Sequence, residues 1–176
     1  MAEPHFVFED ITELNVGALG VPGQRTFYLF AGKDASWVRI WLEKEQLQSI
    51  ATAFEQLLAS LPDEEPLTGP DLSLLSASDP PEPPNSEFRI GRIALGYSVA
   101  RDMVVLVVHR EDQEEEQRPA FQFWASKPQM HALSQRIKEV CAAGRPACPL
   151  CGGPVDPQGH ACPKANGHRS ISIELG

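Results

Sequence analysis

Four residues near the end of this 176-residue chain have types and spacing that could do chemistry: Cys148, Cys151, His160 and Cys162. Cys148-Pro-Leu-Cys151-Gly152 has the form of a metal-binding knuckle. Two thiolates separated by two residues can point at one ion, and the glycine after them accepts the left-handed turn that aims backbone N–H groups at sulfur. His160 and Cys162 stand two apart, so on an extended segment they face the same way. The residues between the two halves, 152–159, are rich in Gly and Pro and supply the turns that fold the chain back. The expected ligand set is therefore Cys148, Cys151, His160 and Cys162, a closed tetrahedral Cys3His site for Zn2+. With all four positions filled by protein, no place remains for a reactive water, and the metal is expected to be structural. His168 is the alternative fourth ligand; His160 is preferred because it lies within the fold-back hairpin, while His168 lies in a tail. Cys141 falls on a helical apolar stripe and reads as a small buried residue.

The elements that hold this cluster show an internal correspondence. Val38 to Leu57 lies over Phe121 to Val140 without gaps, matching Trp41 to Trp124, Lys44 to Lys127, Gln46 to Gln129, Leu47 to Met130, Ile50 to Leu133 and Phe54 to Ile137, always 83 positions apart. In both copies a strand with period-2 alternation passes into a helix with period-3.6 alternation. On the first strand Trp37, Arg39 and Trp41 share one face, and Val38, Ile40 and Leu42 the other. On the first helix Leu47, Ile50, Ala51, Phe54, Leu57, Leu58 and Leu61 form one stripe. Pro128 sits in the first turn of the second helix, where its missing N–H costs nothing. Upstream, Phe6–Phe8, Leu14–Val16 and Thr26–Ala31 read as strands, with a turn at Val21-Pro-Gly-Gln24. Arg89-Ile-Gly91 echoes Asn15-Val-Gly17 as the second half opens, and Met103–Val108 follows as a buried strand.

The predicted architecture is α+β: a duplicated β-β-β-α unit with pseudo-twofold symmetry, an antiparallel sheet plus two helices, and a C-terminal zinc-ribbon-like hairpin. Its divisions are 1–61 for the first unit, which carries one extra strand, 62–86 for a proline-rich linker, 87–144 for the second unit, and 145–176 for the knuckle and tail. The linker reads as extended and partly mobile, pinned at Leu72, Leu74 and Leu75. Trp41 and Trp124 are expected to anchor the core where strand meets helix.

A net charge of −9 with no basic cluster disfavours free-standing nucleic-acid binding. No apolar run approaches the roughly 20 residues that cross a bilayer, and the N-terminus lacks the basic and apolar regions of a signal peptide. Three cysteines packed into one short stretch suit a metal site in a reducing, cytoplasmic compartment.

Val16 to Phe27, Leu42-Glu-Lys-Glu-Gln46, Phe88-Arg-Ile-Gly91 and the ending from Gly144 through Cys148, Cys151, His160 and Cys162 to Gly167 together resemble an uncharacterised bacterial, mainly actinobacterial, "repeat protein" family, domain of unknown function 3090. The resemblance spans nearly the whole chain. It implies a cytoplasmic protein of about this length and brings no catalytic residues with it.

The expected function is that of a zinc-binding, non-catalytic adaptor for a protein partner, with a tail whose Ile171, Ile173 and Leu175 alternate as in a strand that adds to a sheet edge. An enzyme or anion-binding protein would instead use a cleft between the halves, drawing on Arg25, Arg39, Lys44, Arg92, Lys127, His109 and His131. None of these forms a known catalytic motif, and the matched Lys44 and Lys127 read more simply as surface residues. A third reading, nucleic-acid contact by the ribbon inside a larger assembly, rests on Arg145, Lys164 and Arg169.

Overall fold

The structure, a computed structural model, describes residues 5–21, 23–62, 69–114, 118–144, 148–153, 155, 159–164 and 170–171, the last two by their backbone alone. The period-2 segments form β1 (Phe6–Phe8), β2 (Glu13–Leu19), β3 (Thr26–Lys33), β4 (Ser36–Leu42), β5 (Ser86–Ser98), β6 (Met103–Arg110) and β7 (Phe121–Ser126). The period-3.6 segments form α1 (Lys44–Ser60) and α2 (Lys127–Ala142). Both helices open with a capping box, Glu43 with Gln46 and Ser126 with Gln129, so the pairs of polar residues matched in the sequence satisfy the first free N–H groups of each helix. Gly23, at φ +89°, completes the predicted turn, in which Gln24 N–H donates to the Val21 carbonyl over 2.9 Å.

The strand order is β1-β7-β6-β5-β4-β3-β2. Neighbours joined by short loops are antiparallel, but β4 pairs with β5 and β1 pairs with β7 in parallel. The sheet is thus mixed, where a purely antiparallel one was expected. The physical reason is the connection: a helix and a long crossover separate β4 from β5, and such a crossover can return the chain in the same direction. The first half does carry an extra strand, β1, and it closes on the far end of the second half.

That closure bends the sheet. β1 and β2 lie at its opposite edges, which in a flat sheet would be about 29 Å apart at roughly 4.8 Å per strand. Only residues 9–12 connect Phe8 to Glu13, and five residue steps reach about 17 Å at most. The sheet therefore curls until its edges approach. α2 accordingly touches β7 and β6 near one edge and β2 at the other.

Both helices fill the inside of the curl and pack on each other. One core joins Val38, Ile40 and Leu42 of β4, Phe121, Phe123 and Ala125 of β7, and the stripes Leu47-Ile50-Phe54 and Met130-Leu133-Ile137. At the helix crossing Ser134 Oγ donates to the Ala51 carbonyl over 3.4 Å, and Lys138 pairs with Glu55 beside it. Both pairs join residues 83 apart in sequence. The parallel ladders match in the same way: Val38 faces Ser86, and Phe121, 83 positions after Val38, faces Phe6.

Outside the curl the first half is covered. Tyr28, Phe30 and Trp37 form a second buried cluster with Trp41 packed against it. The Arg39 guanidinium lies 5.0 Å from the Trp37 ring, 5.3 Å from Trp41 and 5.5 Å from Tyr28, and pairs with Glu82 and Glu87. The proline-rich segment supplies the cover: Trp37 Nε1 donates to the Pro81 carbonyl over 3.1 Å, Trp37 N–H to Asn85 Oδ1 over 2.7 Å, and Tyr28 OH to Asp79 over 2.6 Å. Burial and the Asp79 carboxylate push the Tyr28 hydroxyl up to about 12. Of the three leucines expected to pin this segment, Leu75 enters the core while Leu72 and Leu74 remain exposed.

Trp41 and Trp124 are not core anchors. Both are half-buried on the outer face, because inward positions on their strands go to their neighbours Ile40, Leu42, Phe123 and Ala125. Trp124 carries Arg101 over its ring at 4.6 Å. The echo of Asn15-Val-Gly17 in Arg89-Ile-Gly91 also fails in the ladders. Gly17 faces Tyr28, which faces Trp41, and it is Gly96 that faces Val105, which faces Trp124.

Candidate metal centre

Beyond α2 the chain forms the small centre built from Cys148, Cys151, His160 and Cys162. The knuckle is closed by two backbone bonds: Gly152 N–H donates to the Cys148 carbonyl over 2.9 Å, and Cys148 N–H donates to the Gly153 carbonyl over 2.7 Å. Gly152 turns the chain at φ +74°, a conformation side chains resist. This turn lets Gly153 N–H reach back to Cys151 Sγ at 3.4 Å, the polarised donor expected around a thiolate.

His160 lies on β8 (His160–Ala161), and Cys162 is the next residue after that strand. The four ligand atoms, three Sγ and one imidazole nitrogen, all lie within 4.8 Å of one another and could hold a metal ion. Cys148 Sγ stands 3.8 Å from Cys162 Sγ, and Cys151 Sγ 3.9 Å from His160 Nε2. A disulfide needs sulfurs about 2.05 Å apart, so these thiols are free. Cys148 and Cys162 are buried in one cluster with Val155, while Cys151 is half-exposed.

The electrostatics of the two buried thiols differ. Burial acts to raise Cys148, but the backbone N–H groups of Cys151 and Leu150, with His160, overcome it and hold the thiol down to about 6. Cys162 is pushed up, first by burial and then by the neighbouring thiols.

Spacing alone placed all four of these residues, and the structure brings all four together. Val155, buried with the cluster, carried no sequence signal beyond being a lone apolar residue in a polar turn. The alternative ligand His168 and the basic residues Arg145 and Arg169 lie outside the described residues; Lys164 is exposed. Cys141 is buried on α2 as expected, and burial raises its thiol.

The cations proposed for a cleft between the halves do not converge. Arg25 donates to the Val140 carbonyl at the end of α2 over 3.1 Å. Arg39 is held in its aromatic cage. Lys127 pairs with Asp102 at 2.9 Å and lies over Tyr97 at 5.7 Å. Lys44 borders a groove between α1 and α2 with Gln48, Ile137 and Cys141, and does not meet Lys127. Arg92 approaches His109, whose imidazole is lowered by burial and then by that charge; His131 is half-buried on α2.

A family model described as "Protein of unknown function (DUF3090)" matches residues 6–162, a span that takes in both helices, the curled sheet and the four clustered ligands. No curated protein and no solved structure matches the chain. No helix among the described residues is long and apolar enough to cross a membrane.

Proposed function

Since the chain belongs to this family of proteins of unknown function, we propose a role from its own geometry: a zinc-binding, non-catalytic interaction module that works in the cytoplasm as an adaptor for a protein partner. The observation that carries this reading is the convergence of three sulfurs and one imidazole nitrogen within 4.8 Å. Zinc–thiolate bonds of about 2.3 Å at tetrahedral angles separate two sulfurs by about 3.8 Å, which is the Cys148–Cys162 distance of 3.8 Å. Soft thiolates with one imidazole favour zinc over harder cations. Four protein ligands leave no open position, so the ion is a structural staple.

The scaffold supports an adaptor better than an enzyme. A duplicated unit with a pseudo-twofold axis accounts for the matched residues meeting at the helix crossing, Ala51 with Ser134 and Glu55 with Lys138. A residue near such an axis meets its own counterpart. The interior that a cleft enzyme would use is instead filled by the two helices.

Zinc in the purified protein, measured by mass spectrometry, tests the reading. One equivalent is expected, lost in Cys151→Ser and in His160→Ala, with the main sheet still folded by circular dichroism. Protein that holds no zinc, or His160→Ala that keeps a full equivalent, would overturn the site. A specific protein recovered on the intact chain and lost with Cys151→Ser is expected of the adaptor; turnover of a metabolite by the purified chain would overturn it.

A further inference from the structure

The ligand-bearing strand has a partner that the metal site does not require. β8 pairs antiparallel with β9 (Ser170–Ile171), His160 facing Ile171 and Ala161 facing Ser170. The tail thus adds a strand to the metal centre itself, although the main sheet offers edges of its own.

Two paired residues on each side cannot sustain a ladder. An isolated two-stranded ribbon is marginal in water even when much longer, and each ordered residue costs about 1–2 kcal/mol of backbone entropy. β8 must therefore be held extended by something other than β9. The candidates are its own ligands: His160 is in the ladder and Cys162 is next to it, and both converge with Cys148 and Cys151. An ion that clamps both ends of this segment fixes the strand on which the tail is laid down.

We infer that occupancy of the metal centre governs the C-terminal tail: the loaded centre holds Ser170–Ile171 as a strand on β8, and loss of the ion releases it. The inference rests on the zinc reading above and adds its regulation. The coupling is reciprocal, since a tail that binds only the ordered strand must tighten the ion by the same factor. In sequence, the tail carries Ile171, Ile173 and Leu175 at alternating positions, the pattern of a strand that can add to a sheet edge.

Hydrogen–deuterium exchange on the full-length protein tests this, using zinc itself as the probe. Peptides covering residues 158–176 are followed in protein carrying one equivalent of zinc, in chelated protein and in Cys148→Ser, whose change lies outside both strands. About tenfold slower exchange is expected at residues 160–161 and 170–171 in the loaded form, and not in the other two. A chain ending at residue 169 is expected to bind zinc about fivefold more weakly or worse. One equivalent of bound zinc with residues 170–171 exchanging as fast as in chelated protein would overturn the coupling and leave the zinc site standing. Failure to bind zinc at all would overturn both.

Discussion

At the scale of single residues, Arg39 and Tyr28 show how a sheet's outer face can be as specific as its core. Arg39 is 9% exposed yet its two carboxylate partners, Glu82 and Glu87, are largely in solvent. Removing the guanidinium therefore strands no buried acid; what is lost is its contact with three aromatic rings. Arg39→Ala is expected to cost about 2–3 kcal/mol through that packing, read as a fall in urea midpoint with the slope unchanged. Glu82→Gln should cost under about 1 kcal/mol, as befits an exposed partner. Tyr28 gives a pH signature. Its hydroxyl is raised from 10 to about 12 in the folded chain, so the native state holds this proton more tightly than the unfolded one. The stability it contributes is complete below pH 10 and is lost as pH rises toward 12. Tyr28→Phe should flatten that alkaline decline relative to the parent, measured by unfolding at a series of pH values. The alternation of Trp37, Arg39 and Trp41 was legible in the sequence, but its sense was only half so. Period 2 says which residues share a face and not which face is inside, and Trp41 and Trp124 went to the outside because their smaller apolar neighbours fit the helix-filled interior.

Among the elements, the crossing of α1 on α2 is the joint on which the two halves turn. Ala51 and Ser134 are both fully buried there, and their small side chains let the Ser134 hydroxyl touch the opposite backbone. Ser134→Leu inserts three carbons where two helices meet and should destabilise by about 1–3 kcal/mol. Breaking the neighbouring Glu55–Lys138 pair with Glu55→Gln should change stability by under about 1 kcal/mol, since both side chains are substantially exposed. Equal losses from the two changes in chemical denaturation would mean the ion pair, and not the close approach, sets the crossing. These helices were the most legible part of the chain, because a stripe of Leu47, Ile50, Phe54 and Leu58 admits one secondary structure and one buried face. The knuckle was equally legible, since ligand chemistry restricts both residue type and spacing. The proline-rich segment was not. Its hold on the sheet runs largely through backbone groups and lone side-chain acceptors, such as the Pro81 carbonyl on Trp37 and Asp79 on Tyr28, and these leave no periodic trace.

For the molecule as a whole, the decisive feature is one that three residues create. β1 is only Phe6–Phe8, a strand legible in the sequence though its place in the sheet was not, yet it covers the β7 edge and ties the sheet's two ends together. Its parallel pairing could not be read locally because the partner lies over a hundred residues away. Phe8 is buried against Phe121, their rings 5.8 Å apart and edge to face. Deleting residues 1–8 should therefore do two separable things. Losing the burial of Phe8 and part of Phe6 should cost about 3–5 kcal/mol. Uncovering the backbone of β7 leaves an unpaired hydrophobic edge, which invites pairing between molecules. Phe8→Ala in the full chain makes only the first change. Both variants should unfold at lower urea, and only the deletion should form dimers or larger species in light scattering at concentrations where the parent is unchanged. The candidate metal centre has its own buried cluster, separate from this core, so neither variant should change the metal content of the chain while still folded. A deletion variant as stable and as dispersed as the parent would mean that the curl holds without β1, and that the helices alone keep the two edges together.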